Sequence, residues 1–230
     1  MTTKEFLEQL DERIAKYDLL CHPFYKAWSA GELTRNDLAE YGRDYYHHVA
    51  EFPEYLKALG SRLTDEKARR AVEANMVDEN GSDDASGRSH AEIWLDFVEG
   101  MSDSREVTGH QPIPEISALM AHFTRVAREG APEEALASFY AYESQVPRIA
   151  QEKERGLRAN YGANDATCEY FRLHSTADIY HSQVWRRLLE RQVSENNASA
   201  NAALDAAEAA ARSLWQALDG MEARRNKPAA

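Results

Sequence analysis

Residues 169–189 concentrate metal-competent side chains: at 3.6 residues per turn, His174, Asp178 and His181 fall within a narrow sector of one helical face. That face is otherwise apolar. Tyr170, Phe171 and Ala177 surround the trio, and Val184, Trp185 and Leu188 continue the stripe. Burying three such groups without partners is costly, so something must satisfy them. A divalent cation could be held by two imidazoles and a carboxylate on adjacent turns. Two core histidines, one hydrogen-bonded to Asp178, would satisfy the same pattern, and the trio alone does not choose.

Three further residues change the inventory. Glu143 interrupts the stripe Leu136, Phe139, Tyr140, Val146 and Ala150, placing a carboxylate where a core residue belongs. Taken singly it reads as an acid paired with Arg or Tyr at the edge of the core. Glu79 and His90 flank the polar, turn-rich segment 80–89. Singly they read as a helix-end charge and a surface histidine. Together, Glu79, His90, Glu143, His174, Asp178 and His181 supply three carboxylates and three imidazoles from helices that one bundle can bring together. Such a set suits a carboxylate-bridged dinuclear iron or manganese site, although the Glu-x-x-His spacing is absent. Zinc would not require so many carboxylates. His47, His48, His110 and His122 lack a matching set.

The elements that must position these groups are helical throughout. Stripes of helical period recur along the chain, with no convincing strand alternation. Helices are predicted over about 1–17, 23–31, 34–60, 64–79, 89–107, 116–128, 132–161 (bent at Pro147) and 165–193. The alanine-rich stretch from Asn196 carries Leu204, Ala207, Ala211, Trp215 and Leu218 on one face and reads as amphipathic helix. No linker interrupts the pattern. The expectation is an all-α fold, a single bundle of seven to eight helices over residues 1–222, with 223–230 frayed. Pro53 is expected to bend its helix.

A net charge of −12, from 39 acidic and 27 basic residues, argues against nucleic-acid or anionic-membrane partners. No run reaches the length of a membrane span, and residues 1–7 lack the apolar core of a signal peptide, so a cytoplasmic location is expected. Cys21 and Cys168 form no metal or redox spacing and read as small buried or half-buried side chains. The 11 tyrosines include Tyr25, Tyr41, Tyr45 and Tyr142 on inward faces. Near a redox metal, such rings are oxidisable as well as space-filling.

Several motifs resemble one family: His22-Pro-Phe-Tyr25, Tyr41-Gly-Arg-Asp-Tyr-Tyr-His-His, Asp78-Glu-Asn-Gly, His90-Ala-Glu-Ile-Trp, Tyr142-Glu-Ser-Gln-Val-Pro-Arg-Ile-Ala-Gln-Glu-Lys153, and His174 through His181. They are similar to the family of the chlamydial protein associating with death domains, within the haem-oxygenase-like dimetal oxidases. The resemblance covers about residues 5–190. It implies a haem-oxygenase-like bundle and a self-sacrificing para-aminobenzoate synthase that serves folate synthesis. Its dimetal centre, iron with iron or manganese with iron, would activate dioxygen with an external reductant. The enzyme's own tyrosine would become the product ring, and an internal lysine the nitrogen donor. Carried onto this chain, the ligands would be the six residues above, the tyrosine Tyr25 and the donor Lys153. On residues alone, Lys153 is a solvated lysine on a Glu-Lys-Glu-Arg face.

One departure bears on the ligand set. The family reads Asp-Glu-Glu-Asn-Gly, whereas this chain has lost one acid and has a longer stretch before His90. A continuous helix would hold Glu79 and His90 about 16 Å apart, at 1.5 Å per residue. They can share a metal only if the 81–87 segment loops out, and that segment is expected to be mobile until metal binds. Asp78, Asp83 and Asp84 compete with Glu79 for the ligand position. Two other readings stand beside the first: a dimetal oxygenase acting on an external small molecule, and a non-catalytic helical interaction module. A homodimer is compatible with each.

Overall fold

The computed structural model describes residues 1–81 and 87–227. Among the described residues, ten α-helices and two single-turn 3-10 segments account for the regular structure. The first five helices are α1 (Thr3–Ala15), α2 (Pro23–Ala30), α3 (Arg35–Gly60), α4 (Glu66–Glu79) and α5 (His90–Ser102). Then come α6 (Pro114–Arg128), α7 (Pro132–Glu143), α8 (Val146–Asn160), α9 (Asp165–Glu195) and α10 (Ala200–Arg225). The all-α expectation holds, with more helices than the seven or eight expected. None is long and apolar enough to cross a membrane.

Local chemistry explains the boundaries. Thr2 with Glu5, Thr34 with Asp37 and Ser89 with Glu92 form capping boxes, each satisfying two backbone N–H groups at a helix start. Pro23, Pro114, Pro132 and Pro147 sit in first turns, where the missing N–H costs nothing. Pro147 also divides the helix expected over 132–161. A proline ring clashes with the carbonyl four residues earlier, here that of Glu143, and α7 ends on that residue. Pro53, by contrast, lies inside α3, which remains one element to Gly60. α10 ends at Arg225, whose Nη2 pairs with Glu222 Oε1 at 2.7 Å in the last turn.

α9 is the shared wall of the bundle, packing against α8, α5, α7 and α4. α10 covers the other side of α7 and reaches α6 and α1, while α3 packs on α5, α6 and α4. Buried Asp44 of α3 ties the last turn of α10 to the 103–113 connector. It lies 2.6 Å from Arg224 and 2.8 Å from His110 Nε2, and it accepts the Ile113 N–H at 3.3 Å. Cys168 is buried as expected, but Cys21 is exposed, because it lies at the end of a 3-10 turn.

Gly81 turns the chain after α4. It has φ +73, and a Cβ there would lie 2.1 Å from the Arg88 carbonyl oxygen. Only glycine permits both that conformation and that approach. The contact joins the two ends of the expected loop, so α4 stops and α5 starts alongside it. Residues 82–86, including Asp83 and Asp84, lie outside the described residues, and so does the expectation about the segment's mobility. Gly81→Ala should therefore destabilise the chain by at least about 1 kcal/mol more than Gly162→Ala, which has a positive φ but no crowding. Denaturant unfolding of both variants reads this difference, and equal losses would contradict the close-approach role.

Candidate metal centre and lysine pocket

The six side chains come together from four helices. Glu79 is the last residue of α4, His90 the first of α5, Glu143 the last of α7, and the trio lies mid-way along α9. They form two groups, Glu79 with His90 and His174, and Glu143 with Asp178 and His181. Within each group, one ligand atom per residue lies within 4.8 Å of the others. All six are between 1% and 5% exposed. The expected convergence of Glu79 and His90 is present: His90 Nδ1 lies 2.8 Å from Glu79 Oε2.

Hydrogen bonds orient both groups. His174 Nδ1–H donates to the Tyr170 carbonyl at 2.8 Å, which leaves Nε2 with its lone pair available to a cation. The His90 and His174 rings meet edge to face, with centroids 4.5 Å apart. In the second group, Glu143 Oε1 accepts from Asn75 Nδ2 at 3.1 Å, and Oε2 accepts from the Trp185 indole N–H. His181 lies between two acids, with Nδ1 3.3 Å from Asp178 and Nε2 3.0 Å from Asp78. Glu79 is thus inside the first group, while its competitor Asp78 stands at the edge of the second.

The electrostatics call for added positive charge. Burial, then the neighbouring Asp178 charge, pushes the Glu143 carboxyl up to about 8. Burial works against charge on His181, but the hydrogen bond to Asp178 and the charges of Glu143 and Asp178 outweigh it and raise the ring to about 10. Burial likewise opposes charge on Glu79, yet its contacts with His90 hold it below the usual carboxylate value. Among the described residues, His90 Nδ1 has no partner of full hydrogen-bond geometry, although it approaches Glu79 closely. Burial opposes charge on His90, but its contacts with Glu79 and the nearby Asp178 charge outweigh it and raise the ring, so an imidazole nitrogen and a carboxylate oxygen face each other at 2.8 Å where a cation could be shared. The donor set, imidazole with carboxylate, fits a divalent transition-metal ion.

A second pocket adjoins the first. Lys153 is 7% exposed, although its neighbours Glu152, Glu154 and Arg155 remain toward solvent, so the surface-face reading of this lysine is overturned. The reason is the close approach of α2 and α8. A Cβ on Gly156 would lie 2.9 Å from the Trp28 ring, and the Trp28 indole N–H donates to the Lys153 carbonyl at 3.3 Å. Lys153 Nζ lies 4.4 Å from the Tyr25 ring centroid and 4.7 Å from that of Tyr41. It donates to the Tyr41 hydroxyl at 2.6 Å, and that hydroxyl lies 3.1 Å from the Tyr25 hydroxyl. Burial holds the lysine well below its ordinary pKa and raises that of the Tyr25 phenol.

Lys153, Tyr25 and Tyr45 line a cavity of about 30 Å³, and Glu79, Glu143, His174 and Asp178 line another of about 10 Å³. Tyr142 and Tyr170 line both, so two phenol rings separate lysine pocket from carboxylate–histidine centre. A wider groove of about 380 Å³ between α6 and α10 contains none of these groups.

Some partners escaped the sequence reading. Asn75 lies one turn before Glu79, and Trp185 lies on the trio's own stripe, where a buried indole N–H requires an acceptor. The same spacing marks Tyr41 as inward-facing but not as the link between Lys153 and Tyr25. His48 stays outside the metal groups, with neither ring nitrogen partnered among the described residues and burial pushing it down to about 3.

With fold and site in view, known proteins sharpen the assignment. Residues 39–215 match the family of iron-containing redox enzymes, and the chain belongs to that family. A 4-aminobenzoate synthase of Chlamydia trachomatis is 37% identical over 217 residues, covering 93% of this chain and 90% of that protein. A 4-aminobenzoate synthase of Nitrosomonas europaea is 34% identical over 232 residues, covering 96% and 92%. A crystal structure from Shewanella denitrificans, of a domain with a haem-oxygenase-like fold, matches with TM-score 0.79 at 17% identity, covering 95% and 92%. The bundle is therefore haem-oxygenase-like.

The pH dependence follows from the raised groups. Glu143 moves from its ordinary 4.5 to about 8, and His181 from 6.5 to about 10. In both, the folded chain binds protons that the unfolded chain has released. Their contribution to stability is full below the unfolded values and is lost as pH rises through the folded ones. Burial lowers His174, His48, His122 and Lys153, which act in the opposite sense, so the effect is isolated as the difference between wild type and Glu143→Gln. Metal-free wild type should lose stability relative to metal-free Glu143→Gln between about pH 5 and pH 8, by up to about 1.4 kcal/mol per pH unit. Thermal unfolding of both in chelator checks this, and a difference that moves in wild type's favour as pH rises would contradict it.

Proposed function

We propose that this chain is a dinuclear metal oxidase that makes para-aminobenzoate, for folate synthesis, from its own Tyr25, with Lys153 supplying the nitrogen. Glu79, His90, Glu143, His174, Asp178 and His181 would hold two ions, iron with iron or manganese with iron. When bound, such a pair supplies the reduction of dioxygen, with an external reductant restoring it. A cytoplasmic setting provides that reductant.

The observation that carries this reading is the Lys153–Tyr41–Tyr25 arrangement. A free amine is a nucleophile and an ammonium is not, so a nitrogen donor must lose its proton. Burial of Lys153 favours the neutral amine. The Tyr41 hydroxyl holds that amine beside the Tyr25 ring and stands within hydrogen-bonding distance of both groups. Proton movement between amine and phenol then has a fixed route through one hydroxyl. The surrounding rings of Trp28, Tyr45 and Phe171 exclude bulk water from the amine.

Space favours an internal source over an external substrate. The cavity beside Lys153 is about 30 Å³, whereas a cavity that holds benzene is about 150 Å³. Water or dioxygen fits; a second aromatic ring does not. The relatives named 4-aminobenzoate synthase support the same product.

Protein expressed with ring-labelled tyrosine, then given metal, reductant and oxygen without free tyrosine, should release at most one labelled para-aminobenzoate per chain. Tyr25→Phe should abolish that product while keeping the metals, with stability changed by about 1 kcal/mol, the scale of one hydrogen bond. Lys153→Arg should also abolish it, because a guanidinium does not become a free amine. Labelled product at wild-type level from Tyr25→Phe would remove Tyr25 as the source. Multiple turnovers with an added small molecule would favour the external-substrate reading.

A further inference from the structure

One further metal-competent side chain, Asp78, meets a member of the six from the solvent side. Asp78 Oδ2 lies 3.0 Å from His181 Nε2; the Asp78 side chain is 37% exposed and that of His181 only 4%. Both line a cavity of about 40 Å³ between α4 and α9. Its walls include Ala71, Ala74 and Val184, with Tyr180, 62% exposed, at the rim. Asn75 and Trp185 form the inner wall, and these are the two residues that hydrogen-bond Glu143.

We propose that this groove is the loading port of the metal centre, with Asp78 as the carboxylate that first receives each divalent cation and passes it to His181. The inference rests on the reading that the six buried groups hold metal. A centre whose members are all at most 5% exposed cannot be reached by a hydrated ion without an intermediate stop. A divalent cation gives up its water where other ligands replace it. Asp78 offers such a stop, because its carboxylate meets bulk water and a buried imidazole at once.

The donors continue inward. His181 Nδ1 lies 3.3 Å from Asp178, so Asp78, His181 and Asp178 form a ladder from solvent to the centre. A ligating imidazole gives one nitrogen to the ion and the other to an orienting acceptor. His181 has an acid at each nitrogen, so one of these contacts must yield when an ion arrives. The Asp78 contact is the one open to water. Alanines on α4 leave the mouth narrow but lightly covered. The lysine pocket is a poor route by comparison, since rings and aliphatic side chains such as Leu19, Val146 and Ile149 line it. The chain's net charge of −12 raises cation concentration at the mouth.

Manganese(II) alone is the probe, its uptake by metal-free full-length protein followed as loss of the free-ion electron paramagnetic resonance signal. Asp78→Asn should slow loading by about tenfold, the scale of losing one steering charge, while the ions bound at saturation stay at the wild-type number. Ala74→Trp, which covers the mouth and leaves Asp78 and His181 intact, should slow it as well. Wild-type loading rates in Asp78→Asn would overturn the port. So would fewer ions at saturation in that variant, which would make Asp78 a resident ligand. If wild type itself takes up no manganese, the metal reading fails, a result distinct from either outcome.

Discussion

Three carboxylates and three imidazoles buried at the meeting of α4, α5, α7 and α9 are the constraint on which the rest of the structure depends. In water each group is satisfied cheaply. In a helical core, paired acids such as Glu143 and Asp178 repel, and removing them from solvent costs far more than any surface ion pair returns. The bundle answers with geometry. Pro147 ends α7 on Glu143, Gly81 ends the path of α4 beside Arg88, and the Ser89 capping box starts α5 on His90. Each boundary delivers one ligand-type side chain to the wall formed by α9. Asn75 and Trp185 fix the Glu143 carboxylate, and the Tyr170 carbonyl fixes the tautomer of His174. A cation pair is the compensation that this donor set fits.

The second constraint is the burial of Lys153. A lysine in an apolar pocket is destabilising, and α8 could have turned this one outward like its neighbours. Its amine instead faces Tyr25 and Tyr41, with Tyr142 and Tyr170 between this pocket and the metal-type groups. On the proposed reading, two phenol rings stand between the metal-type groups and the ring that would be modified, and the small cavity beside Lys153 suits a reaction confined to the protein itself.

Much of this was legible from helical period. The trio on α9 and the intruding Glu143 are local patterns, and local patterns survive folding. The resemblance added Tyr25 and Lys153, which spacing alone did not mark. What sequence hid was set by contacts between distant segments. Lys153 is inward because Gly156 lets α8 approach Trp28, a pairing that no local pattern encodes. The link through Tyr41 joins residues 112 positions apart. The break after Glu143 was read as a bend, since a proline permits either and packing decides.

The central claim is that the six buried side chains form one site for two metal ions, one ion per group. Crystals of protein loaded with iron, measured with anomalous scattering on both sides of the iron absorption edge, test it directly. The account predicts two anomalous peaks, one among Glu79, His90 and His174 and the other among Glu143, Asp178 and His181. Peaks elsewhere, or an ordered site with hydrogen-bonded water and no iron at full loading, would contradict it.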